Sequence, residues 1–307
     1  MLYFRKLRAD QVVAVVLLCT CIASYRGLRV RDAVITPETA QAVALVTNVP
    51  VPIPQGQALD PVISASSAAV VDLISGAILY QKNAVDSYLP ASTTKLMTAL
   101  VAREAFAMQD VVTVKFENQV EGSKLGIALG QQYTVETLLK ALLVHSANDA
   151  GEALAASYPG GRVAFVNRMN SLAEEKHLNH TVFENPTGLD GTHHQTTALD
   201  LINLTKLVVT DPELREIVKT RTEYLTDITR THQFLITNTH ELVGVDKTIT
   251  GVKTGTTEGA RQVLITQVER DGHTVLVVVM GSDQRYVDTS SLINWTFATH
   301  SWQLFEP

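Results

Sequence analysis

The chain has almost no cysteine: two residues among 307. Both, Cys19 and Cys21, lie in an apolar stretch close to the N-terminus, so the rest of the chain has no thiols. This excludes a structural disulfide and a thiolate-bound metal from the folded part. The chain also lacks a block of basic residues, which argues against nucleic-acid binding. Its formal charge of −6 indicates no particular partner.

A long hydrophobic run is missing as well. Arg5, Lys6 and Arg8 precede a short apolar run at 12–23, which is below the roughly 20 residues that span a bilayer. A basic region followed by a short apolar run is typical of an export signal. We therefore predict that residues 1–25 are a signal peptide or an N-terminal membrane anchor. Either form places the rest of the chain outside the cytoplasm, on the periplasmic or cell-wall side, with possible membrane contact only at the N-terminus.

The segment after this run shows no sustained hydrophobic period and contains Pro50, Pro52 and Pro54. Such a composition is typical of a linker, and we assign residues 26–60 to one. The alternative is an N-terminal arm packed on the domain. Residues 61–307 are predicted to form one large domain.

The order of predicted elements indicates the fold class. Apolar, β-prone runs stand at both ends of the domain, while amphipathic helices fill its middle. The N-terminal runs are 67–73 and 77–82, and the C-terminal runs are 249–254, 262–268 and 274–280. This layout predicts an α+β fold, with an antiparallel sheet flanked by helices and a helical insertion.

One stretch combines a reactive residue pair with a buried helix. Residues 90–100 read P-A-S-T-T-K-L-M-T-A-L, with Ser92 and Lys95 three apart. A helix starting near Ser92 would put both side chains on one face, and a partly neutral lysine can serve as base for a serine nucleophile. The alternative makes Ser92 a helix cap and Lys95 a surface residue. An isolated S-x-x-K pattern favours that alternative.

Two further short patterns follow. Ser146 and Asn148 form S-x-N in a tight connection between two predicted helices, where the alternative is helix punctuation. Lys253, Thr254 and Gly255 form K-T-G at the end of a predicted strand.

His193 and His194 are adjacent, but no further ligand stands at metal-binding spacing, so a structural role is predicted for them.

The three patterns occur in the order S-x-x-K, S-x-N, K-T-G, each in a fitting structural context. With them the chain resembles penicillin-binding proteins and serine β-lactamases, and more closely the D-alanyl-D-alanine carboxypeptidases. The stretches that carry the resemblance are P-A-S-T-T-K-L-M-T, L-L-V-H-S-A-N-D-A, N-P-T-G-L and G-V-K-T-G-T-T. It covers roughly residues 61–300.

The resemblance implies a role for each motif residue. Ser92 would attack the carbonyl of the penultimate D-alanine of a peptidoglycan stem peptide, and Lys95 would take the serine proton. Ser146 would relay a proton to the leaving D-alanine. Asn148 would bind the peptide amide and keep Lys95 in place. Lys253 would attract the terminal carboxylate and lower the pKa of Lys95.

The K-T-G strand completes the expected substrate site. Thr254 would hydrogen-bond the terminal carboxylate, and Gly255 would let the substrate lie close along the strand edge. The backbone N–H groups of Ser92 and Thr256 would form the oxyanion hole. The resemblance implies no metal and no organic cofactor, and it implies β-lactams as covalent inhibitors.

Some positions depart from the family pattern. The usual Ala-Gly after the K-T-G loop reads G-A-R at 259–261, and the stretch usually similar to N-T-N-x-L reads N-T-H-E-L at 238–242. Arg285 is expected either to bind the carboxylate or to form a surface ion pair.

Three other activities use the same motifs. A DD-endopeptidase shares the chemistry. A serine β-lactamase needs a carboxylate that activates the deacylating water, typically within E-x-x-L-N, whereas Glu184 stands in F-E-N-P-T-G-L. A non-enzymatic β-lactam sensor would carry a signalling segment, and the N-terminal region shows little sign of one.

Overall fold

A computed structural model describes residues 49–56, 59–116 and 120–304. The predicted signal or anchor segment, 1–25, lies outside the described residues. In chain order the strands are β1 (Val51–Pro54), β2 (Ser67–Asp72), β3 (Ile78–Lys82), β4 (Val111–Thr113), β5 (Gln132–Thr134), β6 (Thr222–Thr226), β7 (Gln233–Thr237), β8 (Ile249–Thr257), β9 (Arg261–Arg270), β10 (His273–Ser282) and β11 (His300–Gln303). The α-helices are α1 (Lys95–Ala105), α2 (Val135–Leu143), α3 (Asn148–Ser157), α4 (Gly161–Glu175), α5 (Ala198–Thr210), α6 (Pro212–Lys219) and α7 (Arg285–Thr299).

The central feature is a five-stranded antiparallel sheet in the order β3-β2-β10-β9-β8. It joins the N-terminal hairpin to the C-terminal strands, which confirms the predicted α+β architecture. The order leaves β8, the strand with the K-T-G motif, at one edge of the sheet. An edge strand can accept an added extended peptide.

Helices cover both faces of this sheet. Along β2, Ala69 and Val71 belong to the larger core with α1 and α5, whereas Ala68 and Val70 belong to the smaller core with α7. Successive residues of a strand point to opposite faces, so a strand covered on both sides needs apolar residues throughout. This explains why β2 and the middle of β10 are apolar runs without alternation.

The helical insertion lies between β3 and β8 and contains α1 to α6. Helix α1 is buried on most sides, as its apolar sequence predicts. Side-chain caps begin α2 and α5, because Thr134 Oγ1 accepts from the amide of Thr137 and Thr197 Oγ1 accepts from that of Asp200. Among the helices described here, none is long and apolar enough to cross a membrane.

The two ends of the described chain pair with each other. Strand β1 runs antiparallel to β11, with Val51 opposite Gln303 and Pro54 opposite His300. Residues 51–54 fall in the segment 26–60 that the sequence assigns to a linker. This part of the segment is therefore an arm packed on the domain, which was the alternative reading.

Candidate active site

The serine and the lysine of S-x-x-K are in direct contact. Ser92 lies in a 3₁₀ turn, Ala91–Thr94, and the α-helix begins only at Lys95, slightly later than predicted. Lys95 Nζ donates to Ser92 Oγ at 2.8 Å and to the carbonyl oxygen of Thr187 at 2.5 Å. The lysine is fully buried. The amine is therefore held against the hydroxyl.

Surroundings decide which protonation state this amine adopts. Burial lowers the pKa of Lys95 well below its ordinary value, and the positive charge of Lys253 lowers it further, while Glu152 opposes the shift. A lowered pKa favours the neutral form of the amine. A neutral amine 2.8 Å from a hydroxyl can accept its proton.

Two glycines hold the turn that carries Ser92. Gly188, of the N-P-T-G-L loop, has φ +90°, and a Cβ there would collide with the carbonyl of Ala91. A Cβ on Gly255 would lie 2.9 Å from Cβ of Ala91 and 3.0 Å from the amide nitrogen of Ser92. Gly255 thus lets β8 pack against the nucleophile turn. The sequence analysis expected Gly255 to make room for the substrate, whereas in the structure it makes room for the turn that contains Ser92.

The other two motifs also meet, in a second hydrogen-bonded pair. Ser146 lies between α2 and α3 with φ +61°. Lys253 Nζ donates to Ser146 Oγ and to the carbonyl of Thr254, both at 2.9 Å. Burial, followed by the charge of Arg285, lowers the pKa of Lys253 to about 7. A second buried amine is therefore hydrogen-bonded to a second hydroxyl.

Asn148 is the first residue of α3 and has one free side-chain group. Its Nδ2 donates to the carbonyl of Glu121 at 2.7 Å. Its Oδ1 is buried and has no hydrogen-bond partner among the described residues. The resemblance implied that Asn148 keeps Lys95 in place, but the structure shows no such contact. The carbonyl of Thr187 accepts the hydrogen bond from Lys95 instead. The orphan oxygen can accept from the amide of a bound peptide.

Hydroxyl and guanidinium groups line the β8 side of the cleft. Arg285 Nη1 donates to Thr256 Oγ1 at 2.8 Å and to the carbonyl of Gly255 at 3.1 Å. Thr254 Oγ1 donates to Thr239 Oγ1 at 2.7 Å. Arg285 forms no ion pair within the described ranges, so the surface ion pair that was one of its two expected roles is not present. Together with Lys253, Arg285 makes this end of the cleft cationic.

These groups surround one cavity of about 250 Å³. Its lining includes residues of all three motifs, from Ser92 through Ser146 and Asn148 to Thr254, Gly255 and Thr256. Segments more than 100 residues apart in the chain thus meet in a single cleft, as the family resemblance implies. Sequence reasoning assigned no role to Thr187 or Thr239. The first lies in the quoted N-P-T-G-L stretch and the second in the departing N-T-H-E-L stretch.

The adjacent histidines lie outside the cleft. His194 is buried, accepts from the amide of Glu184 at Nδ1 and contacts Thr94 Oγ1 through Nε2 at 2.8 Å. Burial lowers the pKa of His194 to about 4, so its ring is neutral. It connects the loop after α4 to the nucleophile turn, which is the predicted structural role. The described residues contain no cluster of three histidine, cysteine or acidic side chains suited to a metal.

Comparison with known proteins gives consistent matches over this region. The sequence profile of the Peptidase S11 family, described as D-alanyl-D-alanine carboxypeptidase, matches residues 55–284. The chain is 31% identical over 245 residues to D-alanyl-D-alanine carboxypeptidase DacF of Bacillus subtilis, covering 77% of this chain and 63% of DacF. It is 33% identical over 249 residues to the D-alanyl-D-alanine endopeptidase of Escherichia coli, and the match covers 78% of this chain and 79% of the endopeptidase.

A solved structure gives the same picture. A penicillin-binding protein homologue from Mycobacterium tuberculosis superposes with a TM-score of 0.73 at 29% identity, covering 80% of this chain and 95% of that one. The chain therefore shares its fold with this protein, while it spans just under two thirds of the length of DacF, 63%.

Proposed function

The chain belongs to the D-alanyl-D-alanine carboxypeptidase family, Peptidase S11, and we propose that it is a serine-type D-Ala-D-Ala carboxypeptidase acting on peptidoglycan stem peptides. The observation that carries the proposal is the contact between Lys95 Nζ and Ser92 Oγ, 2.8 Å long, between a buried amine and a hydroxyl at the cleft. The terminal D-alanine is released and the shortened peptide remains as the second product.

Acylation uses the two amine–hydroxyl pairs in turn. Ser92 Oγ attacks the carbonyl carbon of the penultimate D-alanine while neutral Lys95 takes the hydroxyl proton. The developing oxyanion accepts hydrogen bonds from the backbone N–H groups of Ser92 and Thr256, and losing one such donor typically costs about 10²–10³ in rate. A proton then passes through Ser146 to the leaving nitrogen. The peptide C–N bond breaks and free D-alanine departs.

Deacylation returns the enzyme to its starting state. Water attacks the carbonyl carbon of the ester on Ser92 and gives a proton to neutral Lys95. The bond between that carbon and Ser92 Oγ then breaks, Lys95 returns the proton to Ser92 Oγ, and the peptide leaves with a new carboxylate. A β-lactam presents a strained amide to the same serine, and its acyl group stays attached to the enzyme. This accounts for the proposed covalent inhibition. The N-terminal 1–25 segment supports an extracytoplasmic location, where peptidoglycan lies.

Substrate orientation follows from charge. The terminal carboxylate of the peptide is an anion, and the cationic end of the cleft has Lys253 and Arg285 near the hydroxyls of Thr254 and Thr256. Charge-assisted hydrogen bonds are stronger than neutral ones. The orphan Oδ1 of Asn148 can accept from the amide of the acyl residue.

The second candidate is a DD-endopeptidase, which the similarity to the Escherichia coli endopeptidase favours. The acylation step is identical, and the two activities differ only in the leaving group. A carboxypeptidase releases one D-alanine, whereas an endopeptidase releases a second stem peptide from a cross-link.

The experiment is release of D-alanine from diacetyl-L-Lys-D-Ala-D-Ala by the purified protein, with and without penicillin. We expect release that penicillin blocks. Parallel incubation with a cross-linked dimer of stem peptides separates the two candidates, since preferential cleavage of the dimer identifies the endopeptidase. Rapid turnover of penicillin itself, with no release of D-alanine, would overturn both in favour of a β-lactamase.

A further inference from the structure

Two residues at the start of β9 hold the connection between β10 and α7. Arg261 Nη1 donates to the carbonyl of Gly281 at 2.8 Å, and the Arg261 guanidinium forms an ion pair with Asp283. Gln262 Oε1 accepts from the backbone amide of Arg285 at 3.1 Å. Alternate residues of the connection, at 281, 283 and 285, are thus bonded to β9. Of these three, Arg285 is the one that lines the catalytic cleft.

The backbone at Arg261 points to a function for its side chain. Arg261 has φ +57°, a left-handed conformation that glycine adopts readily and that residues with a Cβ adopt only at a steric cost. It belongs to the segment 259–261, where the sequence departs from the usual family pattern. A non-glycine residue in such a conformation indicates a functional constraint. Arg261 lies outside the lining of the cleft, so any effect on the reaction must pass through its partners.

Arg285 has two carboxylates close to it in the chain, and both are bonded to other groups. Asp283, two residues before it, pairs with Arg261. Asp288, three residues after it and one turn along α7, accepts from two serine hydroxyls at 2.7 and 2.6 Å. The guanidinium of Arg285 instead donates to a hydroxyl and a carbonyl of β8. Its positive charge is therefore available to an anion in the cleft.

We propose that Arg261 is a positioning residue for substrate selectivity: by pairing with Asp283 it keeps this carboxylate from pairing with Arg285, which then binds the terminal carboxylate of the peptide. A carboxylate two residues away has a high effective concentration, so an unpaired Asp283 would compete with the substrate. The bond to the carbonyl of Gly281 fixes the Arg261 guanidinium, whose several donors serve both partners. This inference rests on the proposed function, because it takes the terminal carboxylate of a peptide as the anion.

The test measures how strongly the enzyme prefers a peptide acid to the corresponding amide. For diacetyl-L-Lys-D-Ala-D-Ala and its C-terminal amide, the preference is the ratio of the two kcat/KM values. Arg261→Gly removes the partner of Asp283 and suits the left-handed backbone. We expect the ratio to fall about tenfold, the factor that one charge-assisted hydrogen bond contributes, through a higher KM for the acid. The kcat/KM of the amide should change little.

A second substitution separates competition by a carboxylate from a loss of local structure. In the double variant Arg261→Gly with Asp283→Asn, position 283 has no carboxylate to compete with the substrate. The ratio should therefore return to near that of the parent protein. If Arg261 acted only by keeping the connection in shape, the second substitution would not restore the ratio. Asp283→Asn alone should keep the parent ratio.

A matched control makes the same change at another left-handed arginine. Arg230 has φ +58° in the turn between β6 and β7 and is exposed, so Arg230→Gly relaxes the same backbone conformation outside the cleft. Its ratio should equal that of the parent protein. Labelling by a fluorescent penicillin shows that each variant is folded. If Arg261→Gly does not label, Arg261→Asn takes its place, because asparagine also tolerates this conformation.

The outcomes separate this inference from the proposed function. A ratio that Arg261→Gly leaves unchanged, that falls equally in Arg230→Gly, or that the double variant does not restore overturns the inference while the proposed function stands. Equal cleavage of acid and amide by the parent protein does the same, because Arg285 would then bind no terminal carboxylate. Absence of D-alanine release from the peptide acid overturns the proposed function, and the inference with it.

Discussion

The lysines of the cleft and the basic residues on the outer surface of the helices are in opposite surroundings. Lys95 and Lys253 are buried, and within the described part of the chain their amines contact only hydroxyl and carbonyl oxygens. Lys140, on α2, is partly exposed and bridges Glu136 and Glu223 at 2.9 and 2.7 Å. Among the residues that the structure describes, the two amines of the cleft have no carboxylate partner, whereas the one amine of Lys140 has two.

The difference changes the sign of the pKa shift. Burial lowers the pKa of both cleft lysines. Burial also acts against Lys140, but hydrogen bonds to Glu223 and Glu136 outweigh it and raise its pKa. A lysine kept from carboxylates can give up and take back a proton near neutral pH, and one paired with carboxylates stays charged. The absence of carboxylate partners in the cleft is therefore what allows the pKa of its lysines to be lowered.

The largest expected effect tests whether the cleft serves a nucleophile at all. Ser92→Ala removes the hydroxyl that receives the hydrogen bond of Lys95, and it leaves the bond to Thr187 in place. We expect labelling by a fluorescent penicillin to fall at least about 10³-fold, as expected when a nucleophile that acts as a unit with its base is removed. Thermal unfolding should remain cooperative at a similar temperature. Labelling that persists in the variant would place the nucleophile elsewhere.

A smaller effect tests the cationic end of the cleft. Lys253→Ala removes a positive charge proposed to face the terminal carboxylate of the substrate. We expect kcat/KM to fall roughly 10–100-fold for a peptide acid, since a hydrogen bond to a charged group contributes about 1.5–3 kcal/mol.

The control for this effect is the corresponding peptide amide, which has no charge to lose. Its kcat/KM should fall clearly less than that of the acid. Equal losses on acid and amide would mean that Lys253 acts only through Lys95 and Ser146, and the cleft would then lack an anion site at this position.

The third effect is a displacement of the pH profile. The charge of Lys253 is the second cause, after burial, of the lowered pKa of Lys95. Lys253→Met removes that charge at similar volume, so the pKa of Lys95 rises. Because Lys95 must be neutral to accept the proton, acylation is lost as the pH falls through this pKa. The acid limb of the acylation rate should therefore move to higher pH.

This profile is measured as the rate of penicillin acylation, normalised to the maximum of each variant. Lys140→Met removes a lysine of the paired region and should leave the limb in place. A limb that does not move in Lys253→Met would show that burial alone sets the pKa of Lys95. The contrast between the two regions would then rest on solvent exclusion and not on the neighbouring charge.

Sequence reasoning succeeded where short-range geometry decides. The contact between Ser92 and Lys95 follows from their spacing of three. The sheet followed from β-prone runs at both ends of the domain. The position of Lys253 opposite Ser146 could be expected only through the family resemblance, because no local rule brings together residues 107 apart.

The remainder depends on close approaches between distant segments. Backbone packing requires a glycine at 255 beside the turn around Ala91, and it brings the carbonyl of Thr187 to Lys95. Neither contact could be predicted from residue types alone. The pairing of β1 with β11 likewise needs both ends of the domain in place. Prolines at 50, 52 and 54 are typical of a linker, and an edge strand tolerates them because one side of its backbone faces solvent.

The smallest expected effect lies in the paired region and completes the contrast. Arg168, on α4, donates to both Glu104 and Glu175 across the outside of the helices. Exposed ion pairs contribute little to the free energy of unfolding, since solvent and salt screen them and long side chains lose entropy on pairing. In a double-mutant cycle of Arg168→Ala and Glu175→Ala, we expect a coupling energy close to the error of the measurement by urea unfolding, and D-alanine release unchanged. A coupling well above it, or a loss of activity, would mean that charge on this surface reaches the cleft. The two regions could then no longer be treated as independent. A small coupling that fades in high salt would instead show that the exposed ion pairs play no part in the reaction, which depends on the unpaired basic groups of the cleft.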